Sequence, residues 1–214
     1  MCKNTVSNDS LCNIKLSFWN LHGYKSRLIG NKLKDTDFLH EIQDSHVIGL
    51  AETHIHDEIM DELIIPGYKL FSYKNGKKNV KSNTAPGGLA IFIKENFVKF
   101  FNQVKIDDEN TIWIKLKKEL VGDEDIFLGT SYLSPNYNSS KSTNADTNKT
   151  DKLFYNCFSL DQRGKVLIQG DLNAHTNTLS DMIIPDEFDE YLGIIHNLCA
   201  IRRTKKMLMQ GGRN

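Results

Sequence analysis

The sequence predicts an α/β protein in which packed β-sheets carry helices on their outer faces. Segments that alternate apolar and polar residues with period two recur along the chain, and these mark strands. Segments with helical spacing fall between only some of them, and several strand candidates follow one another with no helix between. A doubly wound parallel sheet needs a crossover helix for nearly every strand, so it fits this order poorly.

Each element has its own signal. Asn13 to Asn20 places Ile14, Leu16 and Phe18 on one face and Lys15, Ser17 and Trp19 on the other, as in a half-buried strand. Asn31 to Asp44 sets Leu33, Phe38, Leu39 and Ile42 near helical spacing, and His46 to Glu52 reads as a short, largely buried strand. Further strands are expected at Tyr68 to Tyr73, Gly88 to Ile93, Val98 to Ile106, Thr111 to Lys117 and Ile126 to Leu133. Asn138 to Thr150 has no apolar residue except Ala145 and is expected to be an exposed loop. Thr150 or Asp151 can cap a helix presenting Leu153, Phe154, Cys157 and Phe158 on one side. Lys165 to Gln169 is a last strand, running straight into Gly170 and Asp171.

Composition narrows the class. A length of 214 residues suits one generous domain, and 39% hydrophobic with 25% charged residues can build a core. The 14 glycines and 4 prolines are too few for a low-complexity chain. The longest apolar run, Leu89 to Ile93, is too short to span a membrane. The polar start lacks a secretory signal, so an intracellular protein of nucleus or cytoplasm is expected. Zero net charge argues against wholesale coating of nucleic acid but permits local patches. Cys2, Cys12, Cys157 and Cys199 form no CxxC pair and read as reduced thiols. Residues 1–12 are expected to be a flexible leader, 13–185 the domain and 186–214 a charged tail.

Four strands finish in residues able to hold a cation or a phosphate. These are Asn20 in FWNLHG, Glu52 in GLAETH, Tyr132 in GTSYLSPN, and Asp171 with Asn173 in GDLNAHT. Two carboxylates plus amides, without cysteine, form an oxygen-rich set suited to a hard ion such as Mg²⁺. Singly, each has a plainer reading. Asn20 can be a turn former before Gly23, Glu52 can cap its strand or pair with a lysine, and Asp171-Leu172-Asn173 can be an Asx turn.

Together, WNLHG, GLAETH, PGGLAIFIK (Pro86 to Lys94), SYLSPN and GDLNAHT resemble the endonuclease/exonuclease/phosphatase superfamily. The closer resemblance is to the endonuclease domains of non-LTR (LINE-like) retrotransposons, over about Asn13 to Thr176. It implies a DNase I-like, four-layered α/β sandwich with its site at one rim of two packed sheets. It also implies Glu52 as the ligand of Mg²⁺ (or Mn²⁺) with Asn20 in support, and Asp171 orienting or deprotonating the attacking water. Asn173 and Tyr132 would then donate to the scissile phosphate of DNA.

The family pattern continues past GDLNAHT to an aspartate strand and a Ser-Asp-His ending. No Ser-Asp-His run occurs in the 214 residues; His196 lies in GIIHNLC, and Asp44-Ser45-His46 has the wrong order and place. The expected fold is therefore incomplete at its C-terminus, with impaired catalysis. The alternatives are a phosphatase or phospholipid phosphodiesterase of the same superfamily, or a non-catalytic remnant that binds nucleic acid.

Other constellations carry less. His54 and His56 could serve zinc but lack a third partner motif, and an exposed loop is the expected reading. Lys69 to Lys99 holds seven lysines against Glu95 alone. Lys74, Lys77, Lys78 and Lys81 could track a DNA backbone, or simply decorate a solvated hairpin tip. Trp113 is expected to pack beside its sheet neighbours, although it or Tyr137 could stack on a base. Asp186 to Glu190 reads as a solvated acidic turn.

Overall fold

The chain divides into two compact units, residues 1–173 and 174–214. The computed structural model describes residues 13–77, 85–122, 124–134 and 143–173, all in the first unit. The expected leader, the charged tail, Tyr137, Lys78 and Lys81 lie outside the described residues.

In chain order the strands are β1 (Leu16–Asn20), β2 (Lys25–Ser26), β3 (Gly30–Asn31), β4 (Val47–Ala51), β5 (Tyr68–Lys74), β6 (Leu89–Lys94), β7 (Phe101–Val104), β8 (Thr111–Leu116), β9 (Ile126–Tyr132) and β10 (Lys165–Asp171). The α-helices are α1 (Thr36–Ile42), the single turn α2 (Lys118–Val121) and α3 (Thr143–Asp161). Two four-stranded sheets form, ordered β1-β4-β6-β5 and β10-β9-β8-β7. In each sheet one edge pair is parallel, β1 with β4 and β10 with β9, and the other pairings are antiparallel. Parallel neighbours need a long crossover, and the two longest helices, α1 and α3, occupy those two connections.

Strand alternation then builds four layers. Leu16 and Phe18, Val47 and Ala51, Leu89, Ile91 and Ile93 face Ile112, Ile114, Leu116, Leu128 and Leu167 between the sheets. The opposite face of the first sheet, with Ile48, Leu50 and Phe92, packs on Phe38 and Ile42 of α1. The opposite face of the second, with Trp113, Phe127 and Ile168, packs on Leu153 and Leu160 of α3. Trp113 is buried among sheet neighbours, as expected. Asp35 caps α1, its carboxylate accepting from the backbone N–H groups of Asp37 and Phe38 at 3.1 Å each.

Three expectations fail. The segment taken as a loop to Thr150 is helical from Thr143 onward, so α3 begins well before the expected Thr150 or Asp151 cap. Its buried side carries Leu153, Asn156 and Leu160, with Cys157 half-buried, whereas Phe154 and Phe158 are 67% and 63% exposed. Asn156 is drawn inward because its amide donates to the buried Asp108 carboxylate at 3.0 Å. Burial against the sheet pushes the Cys157 thiol up to about 11, consistent with an unreactive free cysteine. Finally, the single strand expected over Val98 to Ile106 is a 3₁₀ helix, Glu95–Phe100, followed by the short β7.

Candidate active site

The alternation that fills the inter-sheet core also builds the rim. Leu16 and Phe18 continue in register to Asn20, Leu128 and Thr130 to Tyr132, and Leu167 and Gln169 to Asp171. Each row turns from apolar to polar as it leaves the core. Parallel pairing sets the row ends side by side, Asn20 opposite Ala51 and Asp171 opposite Tyr132. Gly49 permits close approach of the sheets just beneath, where a Cβ would lie 2.7 Å from the Gln169 amide nitrogen and 2.9 Å from Thr130 Cγ2.

Glu52 breaks the alternation. Period two would send its side chain to the outer face with Ile48 and Leu50. Its φ of 48° is left-handed, and its carboxylate instead accepts a short hydrogen bond from the Tyr132 hydroxyl of the other sheet. The loops on either side hold this turn in place. Leu21, Gly23 and Tyr24 donate their N–H groups to the carbonyls of Ala51, Glu52 and Thr53, extending the β1–β4 pairing past the strand ends. On the other flank the carbonyls of Gly88 and Gly87 accept from Thr53 and His54. Both glycines have positive φ, and a Cβ on Gly88 would lie 2.5 Å from Thr53 Oγ1, which gives PGGLAIFIK a structural meaning.

Hydrogen bonds link these side chains into two runs that meet at the His22 turn. Asn20 Nδ2 donates to Asp171 Oδ2 at 3.0 Å, and Asn20 Oδ1 accepts from the backbone N–H of His22 at 3.1 Å. His22 Nδ1 lies 2.5 Å from Glu52 Oε2, and Glu52 Oε1 meets Tyr132, the register partner of Asp171. Asn173 turns over Asp171, its N–H donating to Oδ1 at 3.0 Å while its amide donates to the Leu133 carbonyl at 2.7 Å. The Asx turn is therefore real, and it fixes Asn173 beside Asp171. The structure thus brings together Asn20, Glu52, Tyr132, Asp171 and Asn173 from distant parts of the sequence.

Strain and burial gather here. Among the described residues, the non-glycine positions with positive φ are His22, Glu52, His54 and Asn173, all at this rim. Lys32 donates to the Leu21 carbonyl at 2.5 Å and reaches that of His22 at 3.5 Å, clamping the turn between Asn20 and Glu52. Burial lowers the Lys32 pKa, and the nearby Glu52 charge opposes the shift. Burial likewise holds the His54 imidazole below its usual pKa, again opposed by Glu52. Neither His54 nor His56 is on an exposed loop as expected; both are half-buried. Sequence reasoning gave no role to His22, Lys32 or Gly87-Gly88. Only the presence of His22 and the glycines inside quoted motifs hinted at them, and Lys32 left no signal.

Among the described residues, neither Glu52 nor Asp171 is ion-paired with a lysine or arginine. Among the described residues no group of three His, Cys, Asp or Glu side chains could hold a metal ion, so a hard cation here would rest on single carboxylate and amide oxygens. Of the candidate nucleic-acid lysines, Lys74 directs its ammonium to the Asp108 carbonyl and exposed Lys77 pairs with Glu109 at 3.1 Å. A cavity of about 350 Å³ lies beside Lys74, Gln103, Thr111 and Trp113, toward the other end of the same rim. Among the described residues no helix is long and apolar enough to cross a membrane.

No protein-family profile and no curated protein sequence matches the chain. It is similar to the solved structure of an AP endonuclease from Archaeoglobus fulgidus, at 15% identity and TM-score 0.45, covering 82% of this chain and 63% of that one. It is similar to D. rerio TDP2 complexed with single-strand DNA product, at 12% identity and TM-score 0.48, covering 76% and 61%. An endonuclease/exonuclease/phosphatase family protein from Bacteroides thetaiotaomicron matches at 18% identity and TM-score 0.45, covering 84% and 68%. The chain thus spans less than two thirds of the length of the first two.

Proposed function

We propose that this chain is a divalent-cation-dependent phosphodiester hydrolase of the endonuclease/exonuclease/phosphatase type, acting on DNA by nicking one strand. The observation that carries the reading is the meeting of the Asn20–Asp171 and His22–Glu52–Tyr132 bonds at the common exit of both parallel strand pairs. Glu52, supported by Asn20, would hold Mg²⁺ or Mn²⁺, which supplies charge neutralisation at the phosphate when bound. Asp171, fixed by Asn20 and by the Asn173 N–H, would orient a water and accept its proton. The second amide hydrogen of Asn173 would donate to phosphate oxygens as charge develops, and the Tyr132 hydroxyl would do so on exchanging its bond to Glu52 for one to phosphate.

The retrotransposon resemblance extends the reading: the nick would leave a 3′-hydroxyl able to prime reverse transcription. These 214 residues contain no Ser-Asp-His run to orient the phosphate. A site lacking such a group is expected to turn over roughly 10²–10⁴-fold more slowly than one possessing it.

The test is conversion of supercoiled plasmid to nicked circles with Mg²⁺, run beside inositol phosphate and sphingomyelin. Slow nicking that disappears in Asp171→Asn supports the proposal. Undiminished nicking by that variant, or turnover of the phosphoester panel without nicking, overturns it.

A further inference from the structure

We propose that His22 is itself a ligand of the cation held at Glu52, so that the site prefers a transition ion that accepts imidazole, such as Co²⁺, over Mg²⁺. The inference rests on the reading that Glu52 binds a divalent cation at all.

The geometry points to a shared ion. His22 Nδ1 and Glu52 Oε2 face each other at 2.5 Å, a contact that a shared proton bridges and that a cation would bridge in its place. Two ligand atoms each about 2.1 Å from one metal, at angles near 90°, stand roughly 3 Å apart. The observed pair needs to open by only a fraction of an ångström, and the His22 side chain is 63% exposed and free to move by that amount.

The backbone is arranged for this meeting. His22 and Glu52 both take left-handed φ, 46° and 48°, on adjoining loops tied by the Gly23 N–H to Glu52 carbonyl bond at 2.7 Å. Such conformations persist where surrounding structure enforces them, and here Lys32 clamps the His22 turn through its carbonyls. An imidazole this exposed gains little stability from a carboxylate partner, so a purely structural contact is a weak reason for two strained residues. Asn20 adjoins the pair, bonded through Oδ1 to the His22 N–H and through Nδ2 to Asp171, and the pair itself offers one imidazole nitrogen and one carboxylate oxygen as a mixed donor set. Imidazole in such a set shifts preference toward first-row transition ions, whereas Mg²⁺ favours oxygen ligands.

Binding can be read without turnover, by Co²⁺ absorption in the visible and by Mg²⁺ competition, on the whole chain. His22→Asn is the informative variant, because asparagine tolerates the left-handed turn while removing the imidazole; His22→Gly serves as a second. Both should lower Co²⁺ affinity about 10–100-fold, the range known for perturbed metal sites, and change Mg²⁺ affinity less than about threefold. Glu52→Gln should abolish binding of both ions. If Glu52→Gln abolishes binding but both His22 variants keep wild-type Co²⁺ affinity, or lose Co²⁺ and Mg²⁺ equally, His22 only hydrogen-bonds Glu52 and the inference fails. If Glu52→Gln leaves both affinities intact, the reading beneath it fails instead.

Discussion

The two sheets each have a parallel half and an antiparallel half, and the two halves treat polar groups differently at the same rim. Where β1 and β4, and β9 and β10, run parallel, their C-terminal ends emerge side by side, and the chain passes from the first to the second of each pair by a crossover. Side chains from residues 20, 52, 132 and 171 can therefore converge although the sequence separates them. At the antiparallel half the rim is closed by local connections, and its polar groups answer one another. Lys74 donates to the Asp108 carbonyl, and the buried Asp108 carboxylate accepts from the Asn110 N–H at 2.9 Å and from Asn156 at 3.0 Å. Its charge is used up in holding the fold. The parallel half keeps carboxylates with no lysine or arginine bonded to them among the described residues, which is the condition for binding something else.

The sharpest way to break this comparison is a pair of substitutions, one in each half. Glu52→Gln should cut nicking by roughly 10²–10⁴-fold while moving the thermal midpoint by less than about 2 °C, because the amide still accepts from Tyr132. Ile114→Ala, in the centre of the antiparallel half and fully buried between the sheets, should do the reverse. It should cost about 2–5 kcal/mol in denaturant melts and leave activity per folded molecule near wild type. Glu52→Gln that unfolds the protein, or Ile114→Ala that silences the folded fraction, would erase the division.

The division also accounts for what was legible beforehand. The inter-sheet rows could be read from alternation in Leu16-Phe18 and Ile112-Ile114-Leu116, and the polar row ends Asn20 and Asp171 followed from the same count. Glu52 could be named but not aimed, since nothing in a glutamate announces a left-handed φ. Helix α3 was misread for a related reason. Its first turns, rich in Thr and Asn, have poor intrinsic helix propensity, and anchoring through Leu153 and Leu160 overrides it. Its inward face was half legible: Leu153 and Cys157 turn inward as expected, but Asn156 is buried by a partner 48 residues away while Phe154 and Phe158 stay in solvent.

A smaller effect sharpens the comparison where the sheets touch. Gly49→Ala introduces a Cβ 2.7 Å from the Gln169 amide nitrogen, and both Gln169 and Thr130 are buried and bonded to each other at 3.0 Å. The expected cost is about 1–3 kcal/mol from overpacking. Because Thr130 and Gln169 lie directly below Tyr132 and Asp171, some loss of nicking should accompany it. A neutral outcome in both stability and activity would mean that the sheets can part without disturbing the rim.

The smallest effect concerns the opposite end of the same parallel pair, where the polar groups should be structural only. His46, just before β4, accepts the Lys15 N–H at Nδ1 over 2.9 Å and lies edge-on to Phe97 at 4.5 Å. Burial lowers its pKa below the usual 6.5, and the charges of Lys94 and Lys15 add to the shift while Asp44 opposes it. The folded state thus favours the neutral ring. The unfolded chain takes up the proton first as pH falls, so the stabilisation is complete above the unfolded pKa and is lost on descent through the folded one. Thermal midpoints taken between about pH 7.5 and about pH 5.5 should fall further in the wild type than in His46→Leu, which cannot titrate. Metal affinity at neutral pH should be the same in both proteins. Equal pH slopes would show that the ring titrates as freely as in solvent, and a change in metal affinity would show that the two ends of the parallel pair are not independent.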